Sequence, residues 1–268
     1  MSDELRFKFG ANWKNYLAVA DQNRILAQQQ SLIARFGEDG LHGKRFLDAG
    51  SGSGVFSFAA ASLGAEVTAF DFDPDSVACT QALRDKAPGA AWRVHQGSLL
   101  DTGFIETLGR FDVVYCRGVA HHTGDMWAAL ENIANCCDGS LLISLYNDQG
   151  KPSKRWTAVK RAYCKYPWLR PVLVAGAWVR LWGVKFATDT LRGNPLRRWR
   201  SNNHDQRGMS AWNDLIDWVG GYPFEVAKPE QVFRFFRDRG FELVDFTTQG
   251  GGIGCNEFFF RRRPQTQA

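Results

Sequence analysis

The run Gly50-Ser51-Gly52-Ser53-Gly54 constrains this chain more than any other stretch. Before it, Phe46 and Leu47 end a short apolar strand. After it, residues 55–63 read as a helix, Gly64 stands where a helix C-cap is expected, and residues 66–71 alternate as a second strand. A turn with so few side chains lets backbone N–H groups come close to a ligand. Asp71 follows the first glycine by about twenty residues, the place from which an open α/β sheet offers a carboxylate to a ribose diol. Residues 45–74 therefore predict an α/β fold organised around a nucleotide-type cofactor.

The choice of nucleotide turns on Val55. A dinucleotide fingerprint requires Gly-x-Gly-x-x-Gly/Ala, with the last small residue allowing close packing of helix on strand. Val55 occupies that position here. The spacing of Gly50, Gly52 and Gly54, preceded by Asp48, instead resembles the first motif of class I S-adenosylmethionine (SAM) methyltransferases, whose ligand has no pyrophosphate to cradle. AFDFDP at the second strand end and FDVVYCRGVAHHT at the fourth strand extend the resemblance to the small-molecule branch, similar to ubiquinone-pathway O-methyltransferases. It implies a Rossmann-like, seven-stranded, mostly parallel sheet with an antiparallel last strand. The final pair is expected at residues 241–247 and 256–261, flanking QGGGIGC. It also implies SAM as cofactor and methyl transfer to a small-molecule acceptor, expected at an oxygen: the hydroxyl of a phenol, a sugar or a lipid-linked metabolite. The quinone enzymes carry an acidic residue where this chain has His121, so their metal-assisted chemistry is not implied.

Site residues follow strand by strand. Asp48, Gly50, Ser51, Gly52 and Gly54 are expected under the cofactor, Asp71 on the ribose, and Phe72 on the adenine face. Asp73 reads as the N-cap of a helix opened by Pro74. A third strand at residues 91–95 leads to Ser98 and Leu99, the family's adenine contact; its usual acidic residue is replaced here by Ser98, which leaves a backbone contact from Leu99. The fourth strand, residues 111–116, delivers Cys116 and Arg117 to the cofactor edge and His121 and His122 to the face expected to meet the sulfonium. Imidazole can take a hydroxyl proton at neutral pH. His122 is the first candidate base and His121 the second, although one ring can instead bond backbone at the start of the helix over residues 125–135. Asp148, after a fifth strand at 140–146, can orient a histidine, bind a substrate hydroxyl or cap its turn. Adjacent histidines diverge and no third ligand accompanies them, so no metal site is expected. The six cysteines form no Cys-x-x-Cys pair, which suits a reducing cytosol.

With 268 residues and 44% hydrophobic content the chain can bury one substantial core. Four regions are expected: a lid or helical segment at 1–44, the cofactor core at 45–150, a helical cap at 151–226, and residues 227–268 completing the core. In the first, Trp13 and Tyr16 either close over the cofactor or pack the terminus, ahead of a helix at 17–36. MSDELRFKFG shows no signal-peptide core, and no apolar run approaches the ~20 residues of a membrane span. Charge is uneven. Residues 151–200 carry thirteen basic side chains against Asp189 alone, a net of +12, and five of the ten tryptophans. Helices are expected at 153–165, 170–187 and 211–219, with a polar loop at 202–207 between the last two. That composition suits either a cap over an anionic or lipid-linked acceptor or a surface that touches the inner membrane, with Leu169, Val172, Leu173, Trp178, Leu181 and Trp182 facing lipid and Arg170, Arg180 and Lys185 reaching headgroups. RNA methylation would also use a basic surface, but CRGV stands where a base N-methyltransferase has Asn/Asp-Pro-Pro-aromatic, and no Pro-Cys nucleophile is present. A non-catalytic adaptor is disfavoured by the intact glycine turn.

Overall fold

The structure is a computed structural model that describes residues 5–7, 9, 22–194, 211–250, 252 and 254–264. Trp13, Tyr16, the start of the first expected helix and the 202–207 loop lie outside the described residues.

Seven strands form one sheet: β1 (Arg45–Ala49), β2 (Glu66–Asp71), β3 (Trp92–Gln96), β4 (Phe111–Arg117), β5 (Cys137–Tyr146), β6 (Phe241–Thr247) and β7 (Cys255–Arg262), in the order β3-β2-β1-β4-β5-β7-β6. The first five run parallel, and β7 pairs antiparallel with both β5 and β6. The order reverses between β1 and β4, so the two strands' connections leave toward opposite sides and open a crevice at their carboxyl ends.

Strand alternation divides the core in two. Leu47, Val114 and Phe260 pack on one face, with α4 (Thr102–Leu108), α5 (Met126–Cys136) and α9 (Pro229–Arg237). Their neighbours Phe46, Val113 and Phe259 pack on the other, with α1 (Gln22–Phe36), α2 (Val55–Ser62) and α3 (Pro74–Arg84). Because β4 is covered on both faces, its sequence FDVVYC is almost continuously apolar. Asp73 caps α3 as expected, accepting from Asp75 N–H. Helix α4 has no counterpart in the hydrophobic periodicity because its seven residues span two turns; Asp101 starts it by accepting from Phe104 N–H at 2.9 Å.

Between β5 and α9 stand α6 (Lys151–Lys165), a 3-10 turn at Pro167–Leu169, α7 (Arg170–Leu191) and α8 (Ala211–Gly220). They enclose a cluster of their own, Tyr163, Val174, Ala177, Leu215 and Val219. Helix α7 continues past residue 187, since nothing in ATDTL breaks it before Gly193 turns left-handed at φ +73°.

Candidate active site at the carboxyl edge of the sheet

The glycine turn is laced onto the end of β2. Gly50 and Ser51 N–H donate to Phe70 O at 2.8 and 3.0 Å. Gly52 N–H donates to Asp71 Oδ2 and Asp73 N–H to Asp71 Oδ1, each at 2.9 Å. Gly50 and Gly54 are left-handed, at φ +86° and +78°. A Cβ on Gly50 would lie 2.4 Å from Val119 Cγ, and one on Gly54 2.9 Å from Thr80 Cα. Both glycines are thus required by packing as well as by any ligand. Ser51 turns its hydroxyl away to Thr80 Oγ1 at 2.9 Å, leaving its backbone as the part that faces the turn.

A buried carboxyl, Asp48, and a half-buried one, Asp71, flank this turn. Burial pushes Asp48 up to about 7, against the hydrogen bond it accepts from Ser57 Oγ at 2.6 Å. Burial likewise pushes Asp71 up to about 6, against the Asp73 and Gly52 N–H bonds that favour its charge. Each Asp71 oxygen holds one donor and retains acceptor capacity. Beyond Asp71, Phe72 is 43% exposed, and the Arg6 guanidinium lies 4.6 Å from its ring centroid. Arg6 Nη2 also donates to Thr123 O at 2.9 Å, so the N-terminal segment bridges the ends of β2 and the histidine turn. Ser98 Oγ accepts from Leu100 N–H at 3.1 Å. Leu99 is buried, and its carbonyl accepts from Asn132 Nδ2 at 2.8 Å.

Cys116 and Arg117 part company at the end of β4. Cys116 is buried in the core, and burial pushes its thiol up to about 12. Arg117 points to the opposite face of the sheet, where it donates to Glu257 Oε1 through Nε at 3.2 Å and Nη2 at 2.5 Å. Arg35 reaches the other Glu257 oxygen at 3.4 Å. Strand alternation sends the Arg117 side chain to the α1 side, into a small cavity with Ser31, Tyr115 and Ser144, and leaves its backbone at the strand end.

The histidines sit on a 3-10 turn, Ala120–His122. His121 is 1% exposed, and among the described residues its Nδ1 has no hydrogen-bond partner. Its ring lies 4.1 Å from that of Tyr146 and 4.4 Å from that of His122. Burial, reinforced by the His122 and Lys160 charges, holds it well below the ordinary imidazole range. His122 Nδ1 is 2.6 Å from Pro223 O. A carbonyl can only accept, so Nδ1 carries the proton and Nε2 the lone pair. Burial pushes His122 down to about 3, with the Pro223 bond opposing and the Lys160 and Arg6 charges adding. Asp148 makes no hydrogen bond to either ring; its Oδ1 accepts from Gly150 N–H at 2.7 Å and so caps its turn. No group of three or more metal-ligating side chains occurs among the described residues.

Several residues at this edge escaped the sequence reading. Lys160, counted there only as one of the basic residues, is 0% exposed. Its Nζ donates to Trp218 O and lies 4.4, 4.7 and 5.7 Å from the ring centroids of Trp218, Phe224 and Tyr146. Burial pushes the ammonium down to about 7, with Asp217 opposing. The available signal was spacing: Ser153, Trp156, Lys160 and Tyr163 fall on one helical face. Glu225 caps α5 from a distance in sequence, accepting from Gly124 and Met126 N–H at 3.0 and 3.1 Å, and its own N–H donates to His121 O at 3.0 Å.

Comparison with known proteins agrees with this architecture. A family model described as a methyltransferase domain matches residues 47–139. Ubiquinone biosynthesis O-methyltransferase of Glaesserella parasuis serovar 5 is 31% identical over 117 residues, 42% of this chain and 50% of that enzyme. Ribosomal protein L11 methyltransferase of Geotalea uraniireducens is 43% identical over 78 residues, 28% of this chain and 22% of that enzyme. The matched region thus spans half or less of each of these curated relatives. The crystal structure of magnesium protoporphyrin IX methyltransferase from Synechocystis PCC 6803 with bound SAH superposes with a TM-score of 0.54 at 19% identity, covering 94% of both chains. The chain is built on the class I SAM-dependent methyltransferase fold, and its residues 47–139 match the methyltransferase domain model.

Proposed function

We propose that this chain binds SAM in the crevice between β1 and β4 and transfers its methyl group to an oxygen of a small-molecule acceptor. The observation that carries the proposal is the Asp71 carboxylate, pinned between Gly52 N–H and Asp73 N–H beside a left-handed glycine turn. Its remaining acceptor capacity suits a ribose diol, and the turn is open to close backbone approach. Phe72, Ser98 and Leu99 would border the adenine, and the backbone of Gly50 to Gly54 and of Cys116 the remainder.

When bound, the cofactor supplies a methyl group on a positively charged sulfur. The acceptor hydroxyl would have to give up its proton to solvent, so the chain's part would be to hold that hydroxyl in line and direct its proton outward. Most of the acceleration is expected from positioning. His122 offers the tautomer a base needs, a lone pair on Nε2 held in place by the Nδ1–H bond to Pro223. With its pKa pushed down to about 3, the ring orients the hydroxyl by accepting its hydrogen bond, and the proton is released to solvent. The +12 charge of residues 151–200 favours an anionic or lipid-linked acceptor over a cationic one.

Calorimetry with S-adenosylhomocysteine tests the assignment. Wild type is expected to bind, and Asp71→Ala to lose hydrogen bonds worth about 1.5 to 3 kcal/mol each before compensation. Unchanged affinity in the variant would remove Asp71 from the site, and absence of binding by wild type would remove the proposal.

A further inference from the structure

Helix α7 packs by one face only. Val174 and Ala177 are buried, and Leu173, Trp178 and Leu181 lie against the cluster formed with α6 and α8. The face expected to meet lipid is therefore turned largely inward. Arg170, expected to reach headgroups, instead donates Nε to Tyr163 O at 3.1 Å and lies 5.2 Å from that ring's centroid.

The opposite face is the unusual one. Val172 and Val179 are 66% and 63% exposed, and Phe186 follows at the same seven-residue spacing at 37%. Ala175, Gly176 and Ala187 are exposed beside them. Along this stripe the side chains carry no charge over about 21 Å of helix. Trp168, just before the helix, is 74% exposed, and Leu191 at its end is 88% exposed. Single exposed apolar residues are ordinary, whereas a continuous row of them marks a contact surface.

The charge around this row selects the partner. On α6, Lys151, Lys154, Arg155, Arg161 and Lys165 line the outer side, and all five are exposed. The one carboxylate in residues 151–194, Asp189, is 3% exposed, so the outer surface of the helical pair presents positive charge alone. An uncharged helical face bordered by an exposed tryptophan and by unopposed Lys and Arg is the composition of helices that lie in a bilayer interface. Among the described residues no helix is long and apolar enough to cross a membrane.

We propose that α6 and α7 form a docking surface for an anionic lipid bilayer, with the Val172, Val179 and Phe186 row resting at the boundary of headgroups and acyl chains and the α6 basic residues against anionic headgroups. The surface lies in residues 151–194, shares no residue with the Asp71 crevice and stands independently of the methyl-transfer proposal.

Co-sedimentation of the full chain with vesicles of phosphatidylcholine, with and without a third of phosphatidylglycerol, at low and physiological salt is the test. Wild type is expected to pellet with the anionic vesicles, more strongly at low salt. Val179→Asp and the pair Lys154→Glu with Arg155→Glu are each expected to weaken that binding by more than roughly tenfold, since one basic residue near an anionic surface is worth about 1 kcal/mol, or roughly fivefold. Unchanged circular dichroism and S-adenosylhomocysteine affinity would show that the variants remain folded. No pelleting with anionic vesicles at low salt would overturn the proposal, as would Val179→Asp pelleting like wild type. A dimer in analytical ultracentrifugation that Val179→Asp makes monomeric, with no lipid binding by either, would overturn it too and assign the face to a second copy of the chain.

Discussion

Lys160 donates a hydrogen bond to the Trp218 carbonyl while its Nζ stands 4.4 Å from the centroid of the Trp218 ring. Through Tyr146, which touches both Lys160 and His121, this contact ties α6 and α8 to the carboxyl end of β5. Three aromatic faces partly replace the water the ammonium has lost. Burial still outweighs them, and Lys160 falls to about 7 from its ordinary 10.5. A group whose pKa is depressed on folding is least costly where it is neutral in both states. The burden is therefore absent above about pH 10.5 and fully present below about 7. Wild-type Tm, compared with that of Lys160→Met, should rise as pH goes from 7 to 10. For a chain of this size 1 kcal/mol corresponds to roughly 2–4 °C. A pH-independent difference between the two proteins would mean that Lys160 is not buried as an amine.

Asp71 makes a second pH-dependent prediction, this one about binding. Its pKa is raised by burial to about 6, and a ribose diol requires the ionised form. Affinity for S-adenosylhomocysteine should be flat above pH 7 and fall about tenfold per unit as pH drops below 6. Asp71→Asn should bind more weakly and lose that dependence. Calorimetry between pH 5 and 8 checks both, and an affinity that stays level down to pH 5 would contradict the role.

Gly50 gives a prediction about packing. Gly50→Ala places a Cβ 2.4 Å from Val119 Cγ in a residue at φ +86°. Overpacking costs about 1–3 kcal/mol, and a non-glycine residue in the left-handed region about 1–2. Urea denaturation should show a loss of that order. Adding Val119→Ala should restore the steric part and leave the backbone part, so the double variant is expected between Gly50→Ala and wild type. If Val119→Ala restores nothing, the loss belongs to the backbone alone.

How far this site could be read from the residues depends on the range of the interactions involved. The glycine turn, Asp71 and the Asp73 cap are local, each set by residues a few positions away, and the structure places them where the spacing put them. Arg117 was within reach, since its strand neighbour Cys116 faces the core and alternation sends the next side chain to the other face. Lys160 was harder. Its inward spacing with Trp156 and Tyr163 competes with the general tendency of lysine to be exposed, and only Trp218 and Phe224, some sixty residues on, decide the matter. The outer face of α7 had only a weak local signal, because apolar residues lie on more than one side of the helix and leave no clear period from which a buried face can be chosen; α6 and α8 choose it. Glu225, which caps α5 from about a hundred residues away, likewise leaves no trace in the pattern near Met126.

His122 carries the last prediction, which needs no acceptor to test. Its Nδ1–H bond to Pro223 O and its burial should keep the ring neutral and in one tautomer throughout the range where an exposed imidazole titrates. Long-range proton–nitrogen correlation spectra are expected to show Nδ1 protonated and Nε2 bare from pH 8 down to 5. Below about 6.5 the unfolded chain takes up a proton that the folded ring refuses, so stability contributed by His122 is present above that pH and is lost as pH falls toward 3. Acid unfolding of His122→Asn should accordingly begin at lower pH than that of wild type. Once an acceptor is in hand, loss of a group that orients the hydroxyl and starts proton removal should lower kcat by about 10² or more. S-adenosylhomocysteine affinity should stay unchanged. A ring that titrates near 6.5 in the folded protein would show His122 open to solvent and make it an ordinary base instead of an orienting acceptor.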